Sequence, residues 1–201
     1  MTTTTQPTAT LQTRGRDTKE GAKSPPVPPQ LATPTDLTPD AAQAVTQAIN
    51  PIVADAFALY VKAKNFHWHL AGSHFRDYHL LFDEQADQLL ASIDPLAERV
   101  RRIGGTTIRS ISHISNIQTI ADDNNDFVSP REMVQRLIDD NRHIAETMRA
   151  AMELCDEKRD HPTSNLLQEL LDETEKRIWF LYEVSQGGET TVDDVQYSPE
   201  P

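Results

Sequence analysis

Five side chains define the chemistry open to this sequence: His67, His79, Asp83, Asp94 and Glu98. Imidazole nitrogens and carboxylate oxygens are donors for Fe(II), Mn(II) and Zn(II), and among these only iron or manganese supports redox work. Taken singly, each residue has a bland explanation. A lone helical histidine is more often packed than ligating, and acids beside Arg99, Arg101 and Arg102 usually form a solvated ion-pairing face. Their spacing says more. His79 and Asp83 are four apart, as are Asp94 and Glu98, so each pair stacks on one helical face. Asp83 and Asp94 are eleven apart, which at about 100° per residue returns to nearly the same side.

The two pairs cannot hold one ion within one chain. Eleven residues of helix separate Asp83 from Asp94 by roughly 16 Å, whereas a metal–oxygen bond is about 2 Å. A second copy removes the conflict. If two subunits pack this helix antiparallel about a two-fold axis, the His79/Asp83 end of one meets the Asp94/Glu98 end of the other, giving two equivalent sites. His67, near the end of the preceding helix, could complete each. The Glu-x-x-His pairs of an ordinary ferritin-type bundle site are missing, which disfavours an intrachain di-iron centre.

The elements that must carry these residues are helical, because apolar residues between about 37 and 186 recur at three and four rather than alternating. A first helix opens at Thr38-Pro39 and runs toward Leu70, with Val53, Ala56, Phe57, Tyr60 and Ala63 on one face; Pro51 should kink or restart it. A second runs from near Ser73 to about Arg102, with Phe75, Phe82, Ala86, Leu90, Ile93 and Ala97 as its stripe and Pro95 interrupting its last turns. Gly104-Gly105 stops it. Ser129-Pro130-Arg131-Glu132 combines a capping box with a first-position proline and starts a third long helix, and a fourth runs from about Pro162 to Gln186. The long link from Gly104 to Phe127 exceeds an ordinary bundle connection, and Ile111, Ile114 and Ile117 predict a short helix within it. The expected fold is all-α, a ferritin-like four-helix bundle with a short helix between its second and third long helices.

Composition narrows the classes further. Seven glycines in 201 residues, with neither GxGxxG nor GxxxxGK[ST], argue against nucleotide-binding loops. The single cysteine, Cys155, excludes an internal disulfide framework and a CxxC site and suits a reducing compartment. The first thirty residues lack a signal-peptide h-region, and no run is expected to reach the roughly 18 to 20 apolar residues that cross a bilayer. A cytoplasmic location follows as an expectation, with nucleoid association as its extension. The formal charge of −12 should repel nucleic acid and attract cations. Residues 1–36, rich in Thr and Pro, read as a disordered arm carrying Arg14, Arg16, Lys19 and Lys23; residues 37–186 form the folded domain, and 187–201 an acidic tail.

The run from Lys64 to Gly105 resembles the signature of the Dps proteins, the starvation-induced mini-ferritins of the ferritin-like superfamily. His67-Trp68, Gly72, Phe75, His79, Asp83, Asp94, Glu98-Arg99 and Gly104-Gly105 all fall at family spacing without a gap, and the likeness extends over about 38–186, including Trp179. The resemblance implies a ferroxidase centre formed by His67, His79 and Asp83 of one subunit with Asp94 and Glu98 of its two-fold mate. It further implies a hollow homododecamer, oxidation of Fe(II) to Fe(III) preferentially by hydrogen peroxide, a ferric mineral store and protection of DNA. Zinc is an alternative occupant of the same donors.

Other residues carry weaker expectations. His69 and His74 read as structural or supporting, Trp68 as packing beside the site, and His113, His143 and His161 as surface or loop histidines. Cys155 reads as a buried small apolar residue. Family members often place Asp in a T-x-D motif near the pores that admit iron, but Thr163-Ser164-Asn165 has Asn there; Asp156, Glu157, Asp160, Glu169 and Asp172 could supply a negative funnel instead. DNA binding would rest on the four basic arm residues, weak singly and additive over twelve arms. Two rival readings have distinct signatures. A structural nucleoid DNA-binding protein would have an inactive or zinc-occupied site. A plain helical interaction bundle would form a small oligomer rather than a particle of about 270 kDa, twelve times the chain mass.

Overall fold

The computed structural model describes residues 27–186. The structure of residues 1–26, with Arg14, Arg16, Lys19 and Lys23, and of the expected acidic tail 187–201 lies outside that range. Thr38 accepts a hydrogen bond from the Ala41 amide and caps α1 (Pro39–His69), with Pro39 in the first turn. Helix α2 (Phe75–Arg102) follows after five residues and ends at Gly104, whose φ of +81° a side chain would resist. The link to α4 carries the short helix α3 (Ile111–Ile117), as its isoleucine spacing predicts. Helix α4 (Pro130–Glu157) begins with the full capping box: Ser129 accepts from the Glu132 amide while the Glu132 carboxylate accepts from Ser129. Three residues later α5 (His161–Ser185) starts, capped by Asp160.

Short connections make α1–α2 and α4–α5 two hairpins, which pack on each other through α1 against α4 and α2 against α5, while α3 lies on α1. Val45, Ile49, Ile52, Val53 and Leu59 of α1 meet Phe82, Leu89 and Leu96 of α2, Leu137 and Ile144 of α4 and Leu167 and Leu181 of α5 in one continuous core. Among the described residues there is no strand. The expected all-α four-helix bundle is the fold, with α3 in the long connection.

Several details differ from expectation. Pro51 lies within α1, so the helix does not restart there, and Pro95 lies within an α2 that continues to Arg102; the packed faces on both sides of each proline outweigh one missing backbone hydrogen bond. Helix α1 also contains an apolar 18-residue window with mean hydropathy 1.3, long and apolar enough by those criteria to cross a bilayer. This corrects the expected absence of such a run; the helix places Val45, Ile49, Val53 and Leu59 in the bundle core. Phe75 and Leu90, expected inward, are exposed, and so is Ile111 at the start of α3. Phe75 sits at the first position of α2, beyond the layer of core residues, and stacks on His79. Residues 27–36 include a 3-10 turn, Pro29–Leu31, and lie against the end of α2, where Arg101 donates to the Leu31 carbonyl at 2.9 Å.

Candidate metal centre

The α1–α2 turn folds the end of one helix against the start of the next, bringing His67 beside His79. Their rings stack with centroids 3.7 Å apart. Each ring is also tied to the other residue's backbone: His67 Nδ1 lies 2.8 Å from the His79 carbonyl, and His79 Nδ1 lies 2.9 Å from the His67 carbonyl. A carbonyl oxygen can only accept, so both Nδ1 atoms carry the proton. In the neutral rings both Nε2 lone pairs are therefore left for a ligand, the arrangement by which outer hydrogen bonds prepare metal-binding histidines.

Asp83, one turn beyond His79, brings its Oδ1 to 3.7 Å from His67 Nε2. Lys64 lies three residues before His67 and donates to the same Asp83 oxygen, with Asp87 3.6 Å away. This hydrogen bond holds the Asp83 carboxyl below its ordinary range and raises the Lys64 ammonium above its own. Sequence reasoning passed over Lys64. Its signal was its position three before His67, on the face that meets α2.

Asp94 and Glu98 lie further along α2 and are exposed. Glu98 accepts from Arg102 at 2.6 Å, the solvated i,i+4 pairing expected beside an arginine run. Thus one chain brings His67, His79 and Asp83 together and leaves Asp94 and Glu98 apart from them. Among the described residues no group of three or more His, Cys, Asp or Glu forms a closed ligand set within the chain. The centre of the bundle offers no alternative: buried Arg177 stands there, donating to Asn141 Oδ1 at 2.9 Å and Thr174 Oγ1 at 2.7 Å, and its charge repels a cation.

The weaker expectations resolve individually. Trp68 is exposed in the single chain rather than packed beside the histidines. His69 Nδ1 lies 2.9 Å from the Asn65 carbonyl, one turn back, and His74 precedes the first residue of α2. Cys155 is fully buried, and burial pushes its thiol up to about 12, so it stays protonated and inert at neutral pH. Asp160 does not belong to a solvent-facing funnel. It is buried, accepts from Arg99 at 2.5 Å and caps α5 through Thr163, whereas Asp156, Glu157, Asn165, Glu169 and Asp172 remain exposed. Sequence reasoning also missed Asp55. From α1 its buried carboxylate accepts the Thr119 and Ile120 amides at 2.6 and 3.0 Å and the Thr119 hydroxyl at 2.6 Å, anchoring the link after α3. His143 reaches that hydroxyl at 2.7 Å.

Comparison with known proteins identifies the fold and family. The sequence profile of the ferritin-like domain matches residues 46–189. A DNA protection during starvation protein of Brevibacillus brevis is 32% identical over 69% of this chain and 93% of its own length. Among solved structures, Dps from Thermosynechococcus elongatus superposes with a TM-score of 0.73 at 28% identity, covering 76% of this chain and 97% of the other. A Dps protein of Vibrio cholerae, described as a member of the ferritin-like diiron-carboxylate superfamily, gives a TM-score of 0.72 at 28% identity, covering 76% and 96%.

Proposed function

The chain belongs to the ferritin-like domain family and, within it, to the Dps proteins, and from that footing we propose that it is a ferroxidase and iron store whose oxidation sites are shared between two-fold related subunits. The supporting observation is the pair of reciprocal Nδ1–carbonyl bonds, which leaves two imidazole Nε2 atoms beside Asp83 and stops short of a full ligand set. His67, His79 and Asp83 of one subunit take Fe(II) as substrate together with Asp94 and Glu98 of its mate. The mixed imidazole and carboxylate donors suit this ion. Two Fe(II) ions give up one electron each, reducing one hydrogen peroxide to two hydroxide ions, and the ferric product is stored as mineral inside a dodecamer.

Consuming Fe(II) and peroxide together removes the two reactants that generate hydroxyl radicals, which gives DNA protection a chemical basis without any contact. Direct DNA binding would fall to Arg14, Arg16, Lys19 and Lys23. The reading places the protein in the cytoplasm, with nucleoid association dependent on that arm.

Complementation between two inactive variants tests the shared site. His79→Ala/Asp83→Ala and Asp94→Ala/Glu98→Ala should each abolish rapid iron oxidation as uniform assemblies. Co-assembled, they should recover roughly a quarter of the wild-type rate, since half of random pairs are mixed and each mixed pair keeps one intact site. No recovery in verified mixed assemblies would contradict a site built across subunits.

A further inference from the structure

Lys64 on α1 stands between two carboxylates of α2. Its side chain is 17% exposed, and its Nζ donates to Asp83 Oδ1 while lying 3.6 Å from Asp87 Oδ1. Among the described residues it pairs with no other carboxylate. Asp83 and Asp87 are four residues apart, about 40° around the helix, so they stand in file along one side of α2. Helices α1 and α2 run in opposite directions from their short turn, so going back along α1 from His67 to Lys64 matches going forward along α2 from His79 to Asp83 and Asp87. The order along the hairpin is the two histidines, then Asp83 with Lys64, then Asp87. A swing of the flexible lysine stem away from the histidines exchanges one carboxylate for the other.

The two acceptors differ in what surrounds them. Asp83 Oδ1, the oxygen Lys64 holds, is also 3.7 Å from His67 Nε2, so the ammonium and a metal ion at the histidines would meet the same carboxylate with like charge. Asp87 is 72% exposed, and among the described residues Lys64 is its one ion-pair partner. The shared-site arrangement gives this carboxylate a need for a cation. Setting His79 against Glu98 of the mate and Asp83 against Asp94 of the mate puts the two-fold axis between Gln88 and Leu89 in both cases. Asp87 then lies about 2 Å along the helix from the axis, in the seam that exposed Leu90 also faces, close to its own counterpart in the mate. Two carboxylates brought together away from water are costly unless each has a cation.

We propose that Asp87 is the carboxylate that receives Lys64 when a metal ion takes Asp83, so that the centre loads by passing its internal counterion one helical turn along α2. This rests on the ferroxidase reading of His67, His79 and Asp83. Asp87 is a positioning residue in it: it holds the displaced ammonium and does not touch the metal.

The test is titration of the assembled full chain with Zn(II), a redox-silent probe, counting the binding that His79→Ala/Asp83→Ala loses. Asp87→Asn should weaken that binding by up to about fivefold, the limit for a partly exposed ion pair. In a Lys64→Met background, where no ammonium has to be relocated, the same substitution should change it by less than about twofold. Asp87→Glu keeps a carboxylate within reach of the ammonium and should bind as wild type does. A carboxylate acting through its overall charge, or as a further ligand, weakens binding equally in both backgrounds; that result would overturn the proposal, as would an undiminished affinity in Asp87→Asn. Identical Zn(II) binding by wild type and His79→Ala/Asp83→Ala would instead remove the centre itself, and the proposal with it.

Discussion

At the scale of the residue, Lys64 competes with an incoming metal for Asp83, a ligand of the proposed centre. The ammonium group occupies one of the two Asp83 carboxylate oxygens and adds a positive charge beside the proposed centre. Metal loading through that oxygen would require Lys64 to move aside. Lys64→Met should tighten Zn(II) binding, used as a redox-silent probe in anaerobic titration, by at most about fivefold, because a partly exposed ion pair contributes no more than ~1 kcal/mol. Weaker binding in the variant would show that Lys64 supports the site. Four of the five ligand candidates, His79, Asp83, Asp94 and Glu98, were legible from spacing, since their four- and eleven-residue intervals encode one face of one helix, while His67 stands on the helix before. Lys64 was not, because its importance depends on α1 lying across from Asp83, a tertiary contact. Asp160 misled for the reverse reason: in sequence it belongs to an acidic run, whereas in the fold Arg99 and Thr163 bury it.

At the scale of the element, the helix starts carry their own signals. Thr38-Pro39 and the Ser129–Glu132 box each stand where their α-helix begins, since local side-chain-to-backbone bonds need no tertiary context. Interior prolines were harder to read. Pro51 and Pro95 carry a local penalty that packing of α1 and α2 overrides. Ser129→Ala should cost about 1 kcal/mol of stability, read as a lowered Tm. The bonds from Ser129 hold the Glu132 carboxyl below its ordinary value. Its contribution is therefore present above the pKa of the unfolded chain and is lost as pH falls through the lower folded value. The difference in Tm between wild type and Ser129→Ala should thus shrink on acidification; a difference that grows would contradict the capping account.

At the scale of the whole molecule, charge and assembly decide what meets the protein. The chain's net charge of −12 favours cations and opposes DNA, so any DNA contact must come from a local basic segment. Truncating residues 1–26 removes Arg14, Arg16, Lys19 and Lys23 while keeping the contact of Leu31 with Arg101. If the arm binds DNA, the full chain should shift DNA on a gel at low salt, the truncated chain should not, and the shift should fade steeply as salt rises. An equal shift from both would move the interface to the folded body.

The bundle was legible from apolar periodicity, but two of the five proposed ligands stand apart from the other three within a single chain. In the proposed centre Asp94 and Glu98 come from a second copy, which would turn them toward His67, His79 and Asp83. The direct test is anaerobic loading of the purified assembly with Fe(II), followed by hydrogen peroxide, with ferric absorbance followed in wild type and in His79→Ala/Asp83→Ala. Rapid oxidation yielding soluble mineral in wild type, and its loss in the variant, is the predicted result. Equal rates in the two proteins would contradict a ferroxidase centre at these residues.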